Sequence, residues 1–105
     1  MEKLIYSFPG TGQKTRRRPV ALVGVVSSGN LEVLVEEADL DGSCRIVVNT
    51  SANGFGKIWE ALLTDFSARH DLANLQFSIN DAGATPAVVS LRLDQALEEF
   101  LGGQP

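Results

Sequence analysis

The sequence predicts an α+β fold, a two-layer sandwich in which a mainly antiparallel sheet of about five strands carries helices on one face. Three observations lead to it. Short apolar runs rich in Val and Ile alternate with polar residues, as half-buried strands do. One segment, Phe55 to Phe66, switches to helical spacing. Clusters of Gly, Asn, Asp and Ser separate the runs at turn-like intervals. At 105 residues the chain supports one core and one domain.

The elements follow in order. Leu4, Tyr6 and Phe8 share one face of a short edge strand. Residues 8–19 combine prolines, glycines and like charges and read as an extended loop, so 1–19 is assigned as an N-terminal arm and 20–105 as the domain. Residues 20–27 are almost wholly apolar and read as a buried strand. Residues 31–37 alternate, with Leu31, Val33 and Val35 on one face. Gly29 in the intervening turn makes this pair a hairpin. A turn at Asp39 to Gly42 leads into a strand at 44–50, which completes an antiparallel meander.

Phe55, Ile58, Trp59, Leu62, Leu63 and Phe66 then define one face of a long helix, 54–70, with Asn53 as its N-cap and Arg69 and His70 in its last turn. Leu75, Phe77 and Ile79 mark a fourth strand, 75–80. Ala87, Val89, Leu91 and Leu93 alternate, so 87–93 reads as a fifth strand, followed by a short helix 94–101 capped by Asp94. The competing assignment is one helix from about Pro86 to Leu101.

Hydrophobic residues are 44% of the chain and charged residues 21%, which argues against disorder. No apolar run approaches the roughly 20 residues of a membrane span, and the N-terminus has no apolar signal region. A cytoplasmic protein that does not bind a membrane is expected. One cysteine, Cys44, excludes an internal disulfide framework and a cysteine zinc cage, and one histidine, His70, excludes a His pair. A metal site is not expected, and this inventory is thin for a self-sufficient enzyme. Residues 1–20 carry a formal charge of +4 and residues 21–105 one of −8. An acidic body repels a phosphate backbone, so Lys14, Arg16, Arg17 and Arg18 suit an acidic partner surface better than nucleic acid.

Each candidate site has an ordinary alternative. Gly10-Thr11-Gly12-Gln13-Lys14-Thr15 resembles part of a phosphate loop, but Gln13 separates Gly12 from Lys14 and no helix follows. His70 at a helix end suits a structural role better than a general base. Cys44 has only Arg45 beside it to lower its pKa. Trp59 sits at a core spacing, which favours packing over a ligand platform. Residues 80–86 form a small-residue loop, either a plain turn or a surface where Asp81, Gly83 and Thr85 let a partner approach the backbone. Ser27-Ser28-Gly29-Asn30 is the strongest candidate. A hairpin tip holds an accessible hydroxyl on a rigid support, and Gly29 clears a path to it. The residues alone leave Ser27 and Ser28 both open.

Val25-Val26-Ser27-Ser28-Gly29-Asn30-Leu31-Glu32-Val33-Leu34 resembles the modification segment of the acyl carrier (delta) subunits of bacterial malonate decarboxylase, close to Val-Val-Gly-Ser-Gly-Asp-(Met/Leu)-Glu-Val-Leu. The likeness continues through Thr50-Ser51, Trp59-Glu60-Ala61-Leu62, Asp81-Ala82-Gly83-Ala84-Thr85-Pro86, Leu93-Asp94-Gln95 and Glu98-Glu99. A weaker likeness links it to the acyl carrier subunit of citrate lyase. The resemblance implies that 20–105 is an acyl carrier domain, that no residue of this chain is catalytic, and that the family's modified serine is Ser28. There a 2′-(5″-phosphoribosyl)-3′-dephospho-CoA group would be joined by a phosphodiester, carrying acetyl or malonyl on its thiol, with Ser27, Gly29 and Asn30 as the supporting turn. Implied partners are an acetyl-CoA:malonate-type acyl transferase subunit, malonyl-thioester decarboxylase subunits and a prosthetic-group transferase. Two departures stand out. Ser27 replaces the family glycine, and Asn30 replaces an aspartate, removing a negative charge beside the future phosphate. The alternatives are a carrier for a citrate-lyase-type enzyme and an unmodified adaptor that uses its basic arm.

Overall fold

The computed structural model describes residues 2–10, 20–23 and 30–102. The strands are β1 (Glu2–Pro9), β2 (Val20–Val23), β3 (Leu31–Glu37), β4 (Ser43–Thr50) and β5 (Leu75–Asp81), and the helices are α1 (Gly56–Arg69) and α2 (Pro86–Phe100). The strands form one sheet in the order β1-β4-β5-β3-β2. Alternation places one residue in two on the helix-covered face: Leu31, Val33 and Val35, then Cys44, Ile46 and Val48, then Leu75, Phe77 and Ile79, all fully buried. On the helices, Trp59, Leu63 and Phe66 meet Val89, Leu93, Ala96, Leu97 and Phe100 in the same core. Phe66 stands edge-on to Phe77, ring centroids 5.5 Å apart. Among the described residues, no helix is long and apolar enough to cross a membrane.

The β2–β3 pairing is antiparallel, Val20 opposite Glu36 and Val23 opposite Val33, as a hairpin requires. The expected edge strand is present, with Leu4, Tyr6 and Phe8 half-buried on the core side and paired to β4. Residues 2–9 therefore belong to the same sheet as the rest of the domain. The basic segment 14–18 lies outside the described residues. Gly10 packs here only because it has no side chain, since a Cβ there would collide with the Gly42 carbonyl and the backbone of Ala73.

Three expectations are corrected. The meander ends at β3, because β5 lies between β3 and β4. A strand reached through a crossover helix comes back parallel, and β5 pairs parallel to β4, Cys44 opposite Leu75 through to Thr50 opposite Asp81. The proposed fifth strand 87–93 and short helix 94–101 are one helix, α2, and the fifth strand of the sheet is β1 instead. Thr85 caps α2, its side chain accepting the Val88 N–H, and Pro86 occupies the first turn, where its missing N–H costs nothing. The period-two run was incidental. Leu91 points to solvent, while Val89, Leu93, Ala96, Leu97 and Phe100 form a helical stripe. Asp94 consequently lies mid-helix instead of capping. The third correction concerns α1, whose N-cap is Phe55, with no side-chain cap, in place of Asn53.

Candidate functional site

Three strand ends meet at one edge of the sheet. Leu31 at the start of β3 pairs with Asp81 at the end of β5, and Asp81 pairs with Thr50 at the end of β4. The polar side chains of this row turn inward. Asp81 is 8% exposed and Thr50 1% exposed. One Asp81 carboxylate oxygen accepts the Thr50 hydroxyl at 2.8 Å, and the other accepts the Gly83 and Ala84 N–H groups at 3.2 and 2.8 Å. The Asp81 carbonyl accepts the Ser51 N–H at 3.0 Å, and Thr50 Oγ1 accepts the Ala52 N–H at 3.1 Å. A buried carboxylate is tolerated only when its lone pairs are filled this way. The result is a loop, 81–86, held shut from beneath.

Asn30 abuts this loop. Its carbonyl accepts the Ala82 N–H at 2.8 Å, and its side chain is exposed. Its φ of 61° is a left-handed conformation that asparagine adopts more readily than most residues. Ser27, Ser28 and Gly29 lie outside the described residues. Of the expected site, the structure brings Asn30 together with the 81–86 loop. The roles anticipated for that loop divide. Ala82 and Gly83 are exposed and small, whereas Asp81 faces inward and Thr85 is a helix cap. A side chain at Gly83 would meet nothing within 4 Å, so the backbone is open to an approaching group, although its φ of 101° favours glycine.

Beside the loop is a pocket of about 320 Å³. Phe55, Ile58 and Trp59 at the start of α1 face Ala84 and Val89 across it, with Asp81 and Thr50 at the strand ends. Phe55 and Ile58 remain 46% and 49% exposed. The sequence places all three on one face of the helix and gives only Trp59 a core spacing. The available signal was that the stripe begins at Phe55, before the first turn of the helix. Trp59 serves both purposes, buried in the core and forming part of the pocket wall.

The other candidates fall away from this edge. His70 caps the far end of α1, about 18 Å of helix from Ile58. Its ring is tilted against Phe66, centroids 5.0 Å apart, and its Nε2 lies 3.5 Å from Asp94, which also meets Arg69. That cluster joins α1 to α2. Cys44 is fully buried and desolvation pushes its thiol up to about 12, so it supplies no thiolate.

Comparison with known proteins locates the family. Residues 18–100 match the model of the malonate decarboxylase delta subunit (MdcD) family. A malonate decarboxylase acyl carrier protein of Stenotrophomonas maltophilia (strain R551-3) is 56% identical over 98% of this chain and 97% of its own length. One from Burkholderia cepacia is 59% identical over 94% of this chain and 90% of its own. Among solved structures, a chain of a Pseudomonas malonate decarboxylase hetero-tetramer in complex with malonate superposes with a TM-score of 0.81, is 42% identical, and is matched over 98% of its length by 94% of this one.

Proposed function

This chain belongs to the malonate decarboxylase delta-subunit family of acyl carrier proteins, and from that premise we propose that it carries an acyl group as a thioester on a CoA-derived group joined to Ser28. The observation that carries the reading is the position of Asn30, two residues after Ser28. It is exposed at the sheet edge, and its backbone is pinned to a loop of small residues. Only covalent reach connects the two, at most about 7 Å for two residues.

The residues present fit a 2′-(5″-phosphoribosyl)-3′-dephospho-CoA group. The neighbouring carboxylate, Asp81, is turned inward and filled by three donors, so it does not confront a phosphate. Asn30 adds no charge. Ala82 and Gly83 leave room for a phosphodiester and for the transferase that installs it. When bound, the group supplies the thiol on which partner subunits exchange acetyl for malonyl, with release of acetate, and remove CO2 to restore acetyl. This chain's part is to present that thiol. Its own cysteine is sealed in the core and stays protonated, which keeps it out of acyl exchange. The partners in this reading are an acyl transferase, a decarboxylase and a prosthetic-group transferase, all cytoplasmic. Their contribution is mobility-dependent, since a tethered arm raises effective concentration at each active site without a permanent interface.

Intact-mass spectrometry of protein expressed with its native biosynthetic partners tests the assignment. A discrete mass increase is expected, retained in Ser27→Ala and absent in Ser28→Ala. Retention in Ser28→Ala would place the group elsewhere.

A further inference from the structure

The mechanism so far leaves the pocket beside Asn30 without a task. Its place, lining and size all bear on the group proposed for Ser28. It opens at the same sheet edge, because Asp81 and Ala84 belong both to the loop that holds Asn30 and to the pocket. Its walls are apolar, from Phe55, Ile58, Trp59 and Val89. Its polar side chains, Asp81 and Thr50, are already bonded to each other. The volume of about 320 Å³ is at the small end for ligand sites. It suits the thiol end of the arm with a two-carbon acyl group, and it is too small for the nucleotide part.

We infer that the pocket shelters the acetyl-thioester end of the chain's own arm and excludes the malonyl form. This rests on the attachment reading above. Tethering makes docking feasible even for a weak site. A short flexible tether gives an effective concentration in the millimolar range, so a millimolar affinity already fills a large fraction. Charge supplies the selectivity. An acetyl group brings no charge into the apolar walls. A malonyl group would bring its terminal carboxylate into a pocket that offers no cation, beside the Asp81 carboxylate, and both desolvation and repulsion oppose this. The carrier would then hold the stable acetyl form folded back and leave the malonyl form extended for decarboxylation. The half-exposed Phe55 and Ile58 at the mouth gain a covering in the first state.

Trp59 is the chain's single tryptophan, so its indole N–H gives one assignable resonance at the pocket wall. The test uses the full-length carrier, with loading and acyl state verified by intact mass, in acetyl and malonyl forms. The acetyl form should shift the Trp59 indole and Ala84 amide resonances relative to Ser28→Ala, and the malonyl form should leave them in place. Ile58→Glu, at a half-exposed position, should abolish the acetyl shift and speed hydroxylamine cleavage of the acetyl thioester about threefold, as expected from losing a mostly occupied tethered site. In a parallel arm, S-acetylpantetheine is titrated into the Ser28→Ala protein. It should move the same two resonances at millimolar concentration, and S-malonylpantetheine should not. Verified loading with no shift in the acetyl form, or equal shifts from both acyl forms, overturns the pocket assignment. Absence of any attached group combined with a normal response to free S-acetylpantetheine would instead refute attachment and leave the pocket's chemistry supported. Absence of both overturns both.

Discussion

Asp81→Ala is the substitution that most directly tests how this sheet edge is built. It removes three hydrogen bonds at once: one to the buried Thr50 hydroxyl and two to the Gly83 and Ala84 amides. The losses are unequal. The Thr50 hydroxyl is 1% exposed and would be left without its acceptor, at about 1–2 kcal/mol. The two amides sit at an exposed loop and can regain water, so each contributes about 0.5–1 kcal/mol. The sum is about 3 kcal/mol. For a chain of this size, that corresponds to roughly 12–15 °C in Tm. Asp81→Asn keeps one oxygen for the two amides, and Thr50 can rotate its hydroxyl to accept from the new amide, so about 1 kcal/mol is expected. Urea unfolding of the three proteins gives the answer, with unchanged m-values showing that only stability moved. A cost below about 1 kcal/mol for Asp81→Ala, or equal costs for the two variants, would refute the claim that the inward carboxylate holds the loop.

Two further predictions are independent of the site. Asn74 has a φ of 58°, and its Oδ1 accepts from the Leu40 and Gly42 amides at 3.1 and 2.9 Å. Asn74→Gly should lose those bonds alone, whereas Asn74→Ala should cost about 1 kcal/mol more from the left-handed backbone, which paired denaturation curves would detect. Cys44 supplies a pH effect of definite sign. Burial pushes its folded thiol up to about 12 from an ordinary 9.0, so between these values the unfolded chain gives up a proton that the folded one keeps. Stability is undiminished below about pH 9 and should fall by about 1.4 kcal/mol per pH unit above it. Cys44→Ala should remove that slope when urea midpoints at pH 8 and pH 10.5 are compared. Burial, followed by Glu60 and Glu2, also raises Tyr6, a contribution of the same sign that is common to both proteins.

What was legible in the sequence had local causes. The β3 boundaries follow from strict alternation between two turns, and α1 follows from a stripe at 3.6 spacing. The α2 segment satisfied two periods at once over 87–93, and the deciding signal was Thr85-Pro86, a cap followed by a proline that begins a helix well. Sheet order was not legible because the parallel pairing of β4 with β5 joins segments on either side of α1, and no local pattern marks which strands will be neighbours. The loop at 80–86 stands out in the sequence by its small residues. The inward turn of Asp81 depends on Thr50, thirty-one positions away, and no local pattern pairs them. The pocket was hidden for a related reason. It is a gap between two helix starts, and helical periodicity cannot distinguish a packed stripe from one that overruns its partner.

The position of β5 also governs when the protein becomes usable. It is the last strand to be synthesised and the middle strand of the sheet, and Asp81 closes the edge where Asn30 is anchored. A nascent chain can zip β2 to β3 early, yet the edge that anchors Asn30 does not exist until residue 84 has emerged and the sheet has closed around β5. If a group is attached at Ser28 as proposed, a transferase that reads the assembled edge would ignore truncated or half-folded copies. Loading would then double as an inspection step, and the mass of the population would report how much of it has finished folding.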